Sequence, residues 1–207
     1  MKKTLTFILV LLITLVSSIT VVASSPSWAY EHISKDGFLN LTSLDKKINY
    51  AQVKIFKAGK HKVGDKMPSG IYKVFATDPS GMAYLAILND SNGNDIAGNS
   101  IFSTQSYVQL EDGQYLELRD AIAVPIEQAP PARLFTSVLF DGMFMEGLDF
   151  DASEFSVDAL SETAYLAVSN IADHSDIESN EIFENNTYVT VGENQFLELR
   201  DASINLK

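Results

Sequence analysis

The stretch "QYLELRDA", Gln114–Ala121, returns near the end of the chain as "QFLELRDA", Gln195–Ala202, with Tyr115 replaced by Phe196. Leu116 and Leu118 alternate with Glu117 and Arg119, the period of a half-buried strand. The leucines are therefore expected to face a core. Glu117 and Arg119 share the other face, close enough to pair, and Leu197, Leu199, Glu198 and Arg200 repeat the pattern. As the alternative to pairing, Arg119 and Arg200 are candidate ligand-binding residues at equivalent positions.

Outward from the octapeptide the match continues. At the same offset of 81, "AYLAI" (Ala83 to Ile87) falls on "AYLAV" (Ala164 to Val168), and Asn99, Ile101, Tyr107 and Val108 fall on Asn180, Ile182, Tyr188 and Val189. Further upstream the offset becomes 83, which puts two extra residues in the 78–81 loop. There "GIYKV" (Gly70 to Val74) meets "SEFSV" (Ser153 to Val157), and Gly59 and Gly64 meet Gly142 and Gly147. Collinear matches with one small gap mark an internal duplication. They predict one unit over 51–126, a linker over 127–133 and a second unit over 134–207. Both units consist of short β-branched, aromatic and aliphatic runs between turn residues. "YVQLEDGQYLEL" reads as a hairpin in which Asp112-Gly113 forms a type I′ turn, with positive φ at both positions. The expected fold class is all-β: two tandem homologous antiparallel β-sandwich or barrel domains.

The N-terminus carries Lys2 and Lys3 ahead of an apolar run, Leu5 to Val16, and then turns small and polar. This is the pattern of a signal peptide over 1–29, with cleavage expected before Ser24 or Tyr30 and a linker over 30–50. The competing reading is an uncleaved anchor. The chain has no cysteine, so it has neither disulfides nor a lipid-bearing cysteine. Export by a bacterium to the cell surface or medium is the localisation these features imply, and the sequons at Asn40 and Asn185 would then stay bare. Loss of Lys2 and Lys3 would take the net charge from −12 to −14. Such a surface repels nucleic acid.

"VGDKMPSGIY", Val63 to Tyr72, resembles the V-G-x-D-I-P-A-G-x-Y motif of repeated domains in uncharacterised secreted proteins and lipoproteins of Gram-positive bacteria. Val63, Gly64, Pro68, Gly70 and Tyr72 keep the spacing of that motif, whereas Asp65-Lys66 inverts its polar pair. The resemblance implies a secreted β-domain and brings no catalytic residues. The second unit departs from the motif, with Asp151 and Ser153 where the first has Pro68 and Gly70. Its turn is expected to be built differently.

Sites of known chemistry fit poorly. Asn89 to Asp95 offers many oxygen ligands, but Asp95 stands at the glycine position of a calcium loop and Ile101 where a bidentate glutamate belongs. A solvated hairpin loop is the expectation. Gly59 to Gly64 has phosphate-loop spacing with Asp65 where lysine is needed. His32, His61 and His174 match no metal spacing, although His174 with Asp173 and Asp176 would make a weak surface site. There is no G-x-S-x-G elbow and no cysteine nucleophile. No metal, cofactor or catalytic residue is assigned.

Charge division is the remaining feature. Residues 30–133 carry 11 basic and 12 acidic side chains, and residues 134–207 carry 2 and 15. Lys46, Lys47, Lys54, Lys57, Lys60, Lys62 and Lys66 cluster at the start of the first unit. Lysines there either protect an edge strand from pairing or form a basic face for an anionic envelope polymer or for the acidic unit itself. Lys54, Lys57, Lys60 and Lys62 are the binding candidates of that second reading. The functional expectation is an exported, non-enzymatic bacterial cell-surface or secreted interaction module, with an envelope polymer or a surface protein as partner. The alternative is an envelope-associated inhibitor or phage-exclusion-type factor, and a small hydrolase comes third.

Overall fold

The computed structural model describes residues 53–77, 82–134, 136–172 and 175–206. The expected signal peptide and its cleavage sites, the 30–50 linker with Lys46 and Lys47, the 78–81 loop, and His32, Asp173 and His174 lie outside them. Among the described residues the chain is all-β, with every strand pair antiparallel and helix confined to two short 3-10 turns, Ile126–Gln128 and Ala132–Leu134. No described helix is long and apolar enough to cross a membrane.

The first half holds β1 (Gly59–Lys62), β2 (Gly70–Ala76), β3 (Ala83–Leu88), β4 (Ile96–Phe102), β5 (Gln105–Leu110), β6 (Tyr115–Arg119) and β7 (Ala121–Pro125). They form a four-stranded sheet, β1-β6-β3-β4, and a three-stranded sheet, β5-β2-β7. The second half holds β8 (Val138–Met145), β9 (Ser153–Ala159), β10 (Ala164–Ser169), β11 (Ile177–Phe183), β12 (Asn186–Val191) and β13 (Phe196–Asn205). There β13 is continuous and joins everything into one curved six-stranded sheet, pairing with β8, β9 and β10.

Pair by pair, the two halves share their register. Leu85 opposite Leu118 becomes Leu166 opposite Leu199, and Tyr72 opposite Val108 becomes Phe155 opposite Val189. Even the irregularity between Ile87 and Leu88 recurs between Val168 and Ser169. The offsets of 81 and 83 in the sequence thus reappear as hydrogen-bond partners.

The octapeptide is a corner strand. Leu116, Leu118, Leu197 and Leu199 are all buried. Asp120 and Asp201 then take φ of 49° and 50°, a left-handed bend that asparagine and aspartate tolerate better than most residues. That bend steers the chain from one sheet (β6) into the other (β7). The glutamine that opens the octapeptide closes the preceding turn. Gln114 Oε1 accepts the Glu111 N–H at 2.8 Å, and Gln195 Oε1 accepts the Gly192 N–H at 2.7 Å.

Two local expectations are corrected. β5 and β6 are not a hairpin, because β5 pairs with β2 while β6 pairs with β1 and β3. The 111–114 turn crosses between sheets, and in it only Gly113 has positive φ, at 92°, with Gln114 N–H bonded to Glu111 O at 3.2 Å. A type I′ turn matches the twist of two paired strands, and no such pair exists here. The motif turn is also less different between halves than expected. Gly64 N–H bonds Met67 O at 2.9 Å, and Gly147 N–H bonds Phe150 O at 2.8 Å, both glycines having positive φ. The halves diverge only beyond that point, where Gly70 at φ 142° is replaced by Ser153.

Each half encloses its own core, the first around Tyr72, Val74, Leu85, Leu116 and Leu118, the second around Phe155, Val157, Leu166, Leu197 and Leu199. A third cluster draws on both halves: Tyr107, Met143, Ala172 and Phe196, with Ile71, Met145 and Leu148 packed against it.

Candidate functional site

At that third cluster the face of β2 and β5 lies against the face of β8 and β13. Alternation along β2 sends Tyr72 and Val74 into the first core. Ile71, Lys73 and Phe75 go to the opposite face, where Lys73 and Phe75 are completely buried. The Lys73 ammonium meets the Asp149 carboxylate at 2.5 Å, both side chains shielded from solvent, and donates a further hydrogen bond to Pro130 O at 3.0 Å. Asp149 is the hub of the contact. Besides Lys73, its Oδ1 accepts the Ala132 N–H at 2.7 Å. Its Oδ2 accepts Tyr107 OH at 2.6 Å, the Met145 N–H at 3.0 Å and Gln105 Nε2 at 3.2 Å. Five donors from four segments converge on one carboxylate, which is what a buried charge requires.

Burial pushes the Lys73 ammonium below its usual pKa, while the neighbouring Asp149 works in the opposite sense. Burial, reinforced by Asp149, holds the Tyr107 hydroxyl well above its usual value. Around the polar hub the seam is apolar and tight. Tyr107 meets Phe196 edge to face with ring centres 5.4 Å apart. A Cβ on Gly142 would lie 2.9 Å from the Gln105 carbonyl oxygen and closer still to Thr104 Oγ1. The 127–133 stretch, expected as a linker, is part of this contact: Ala129 and Ala132 are buried, and the Pro130 carbonyl and the Ala132 amide enter the network.

Sequence reasoning missed Lys73, Tyr107 and Asp149. One signal was present: Ile71 and Phe75 flank Lys73 on one strand face, and two large apolar residues there are out of place on a solvent-facing surface. A shallow cleft of about 200 Å³ opens at the rim of the seam, lined by Met82, Ile101, Asp141, Glu198 and Arg200 among others. It is smaller than the several hundred Å³ of typical ligand pockets. Asp141 there is raised above the usual carboxylate range, chiefly by burial.

The binding candidates divide into two groups. Arg119 and Arg200 pair along their own strands. Arg119 Nη2 lies 2.6 Å from Glu117 Oε1 and Arg200 Nη2 lies 2.6 Å from Glu198 Oε1, with the guanidinium groups over Tyr84 and Tyr165. Lys54, Lys60 and Lys62 instead converge, with Phe56, His61, Asp65 and Lys66, on one open depression of the first half. Lys54 donates to Lys66 O at 2.7 Å, within the depression, whereas the Lys60 ammonium donates to Ser91 O at 3.0 Å and lies 3.6 Å from Glu117 Oε2. Lys57 is exposed but does not line the depression; its carbonyl oxygen lies 2.7 Å from His61 Nε2. β1, which carries Lys60 and Lys62, is an edge strand, so the edge-protection reading has its structural premise too. In the 89–95 loop, Asp90 Oδ1 accepts the N–H groups of Asn92, Gly93 and Asn94 at 2.6–3.1 Å, closing the loop upon itself. No group of three metal-ligating side chains occurs among the described residues.

Compared with known proteins, the chain matches no family model, no curated protein and no solved structure. Its own internal repeat is the informative comparison. The lysine face of β1 and β6 is the counterpart, at offsets 83 and 81, of the β8 and β13 face that is buried in the seam: Lys60 stands for Met143, Lys62 for Met145 and Lys66 for Asp149.

Proposed function

We propose that the chain is an exported, non-enzymatic interaction module of a bacterial envelope or its surroundings, which presents the lysine face of its first half to an anionic partner. One observation carries this reading: Lys60, Lys62 and Lys66, which line one depression together with Lys54, stand where the second half has Met143, Met145 and Asp149 of its docking surface. The same face that binds the first half inside the molecule stands open, and recharged, at its other end. The seam itself is filled by protein side chains. The resemblance to repeated domains of secreted Gram-positive proteins supports an envelope setting for the partner.

The test is capture of the chain by envelope fractions and by purified anionic wall polymer. Exposed lysines act through long-range attraction, and the screening length falls from about 10 Å at 0.1 M salt to about 3 Å at 1 M. Capture is expected at low salt, to be lost at high salt, and to be lost in a variant with Lys54, Lys60 and Lys62 replaced by glutamine. That variant keeps its melting temperature, because exposed charges contribute little to stability. Capture indifferent to salt and to these substitutions overturns the proposal.

A further inference from the structure

Resting on that reading of the lysine face, we infer that its partner is the acidic half of a second copy of this chain, so that molecules join head to tail by repeating their own internal seam. The internal contact is heterologous: the β2–β5 face of one half meets the β8–β13 face of the other. The duplication leaves one unused copy of each surface at opposite ends. The β1–β6 face of the first half corresponds to the β8–β13 face, and the β9–β12 face of the second half corresponds to the β2–β5 face. Heterologous contacts between unlike faces generate chains or rings rather than closed twofold dimers.

The residues at the two free faces fit each other. Tyr107, the aromatic centre of the internal seam at 1% exposure, has Tyr188 as its counterpart at 68%. Its ring partner Phe196 has Tyr115 as counterpart, the one residue that differs between the two octapeptides. A phenylalanine lies where the ring is buried, and a tyrosine where its hydroxyl can reach water. Ile71 and Met145, which pack against the same internal cluster from its two sides, have Glu154 and Lys62 as counterparts, so the two free faces carry opposite charges at these positions. Gly142, where a Cβ would lie 2.9 Å from the Gln105 carbonyl oxygen, has Gly59 as counterpart, and nothing lies within 4 Å of a Cβ built there. The buried Lys73–Asp149 pair is replaced by Ser156 and Lys66, both exposed, so the joint between molecules lacks the hub and is reversible. Like-to-like contact between two second halves is opposed by their charge, 2 basic against 15 acidic residues over 134–207.

The experiment uses the full chain, expressed from its own start and purified in the processed form it takes, and reads mass by sedimentation over a wide concentration range. Wild type is expected to exceed twice the monomer mass as concentration rises, and to fall back towards monomer at high salt. A head variant, Lys62→Glu with Lys66→Glu, and a tail variant, Glu154→Gln with Tyr188→Ser, are each expected to remain monomeric. All four positions are solvent-exposed, and unchanged melting confirms that both variants fold. Mixed in equal amounts, the two variants are expected to give a dimer and nothing larger, since one good head and one good tail remain. A wild type that is monomeric at all concentrations overturns the inference, as does association that survives either variant, or a mixture that stays monomeric. A monomeric wild type whose capture by anionic wall polymer is abolished by Lys62→Glu with Lys66→Glu would overturn the self-joining alone and leave the function proposed above standing.

Discussion

Asp149 and Tyr107 carry the largest consequences at the scale of single residues. Removing the carboxylate takes the counter-charge from the Lys73 ammonium and one acceptor from four further donors in a site shielded from solvent, and breaking a buried pair on one side typically costs about 3–5 kcal/mol. Asp149→Ala is expected to lower stability by that amount in denaturant unfolding. Replacing both partners by apolar residues, often neutral for an isolated buried pair, is not neutral here, because the Ala132 and Met145 amides also depend on Asp149. Lys73→Met with Asp149→Leu is therefore expected to remain destabilised. Tyr107 supplies a pH signature. Its folded pKa is raised, whereas in the unfolded chain a phenol ionises near about 10. Above that pH the unfolded state has released a proton that the folded state keeps. The stability this group contributes is thus full below about pH 10 and declines as pH rises further. Lys73, with a lowered folded pKa, acts in the opposite sense below its unfolded value. Tyr107→Phe is expected to cost about 1.5–3 kcal/mol at neutral pH through the lost bond to a carboxylate. It is also expected to flatten the alkaline decline relative to wild type, as followed by thermal melts between pH 8 and pH 11.

Elements inherit their shape from a few backbone positions. The corner from β6 to β7 turns on Asp120, and the matching bend inside β13 on Asp201. A β-branched residue in the left-handed region costs about 1–2 kcal/mol more than one that tolerates it. Asp120→Val is expected to destabilise by that amount and Asp120→Gly to be nearly neutral, a contrast that melting temperatures resolve. At β8, Gly142 is held to glycine by the backbone of Gln105 across the seam, not by its own φ. Gly142→Ala is therefore expected to loosen the contact between β5 and β8 while leaving the two cores intact. Hydrogen exchange should then speed up at the Met145 and Ala132 amides and stay slow in β3 and β10.

At the scale of the whole molecule, the contact between the two halves explains where burial and apolar residues fall. Two halves with one pairing scheme meet through unlike faces. Positions used in the seam are apolar or paired, such as Met143, Phe196 and Asp149, while their counterparts Lys60, Tyr115 and Lys66 are suited to water. Opening the seam is therefore expected to be a local event. In Asp149→Ala the near-ultraviolet signal of Tyr107 and Phe196 should be lost at lower denaturant concentration than the far-ultraviolet signal of the strands.

Read alone, the octapeptide and its flanking matches determined the all-β class, the strands, the inward leucines and the Glu–Arg pairs on the opposite strand face, because each depends on alternation within a strand or on one half matching the other. The same sequence also marked Lys54, Lys60 and Lys62 as a group, though not that Lys57 falls outside their depression. What it did not decide was which strand pairs with which: β5 and β6 read as a hairpin and belong to different sheets. Nor did it reveal the seam. Lys73 and Asp149 are 76 residues apart, and neither forms a motif with its neighbours in the chain. Their meeting depends on how two finished halves pack, and a buried lysine is tolerated only because that packing brings a carboxylate to it. Local periodicity determines what a strand can bury; only the tertiary structure decided what it is buried against.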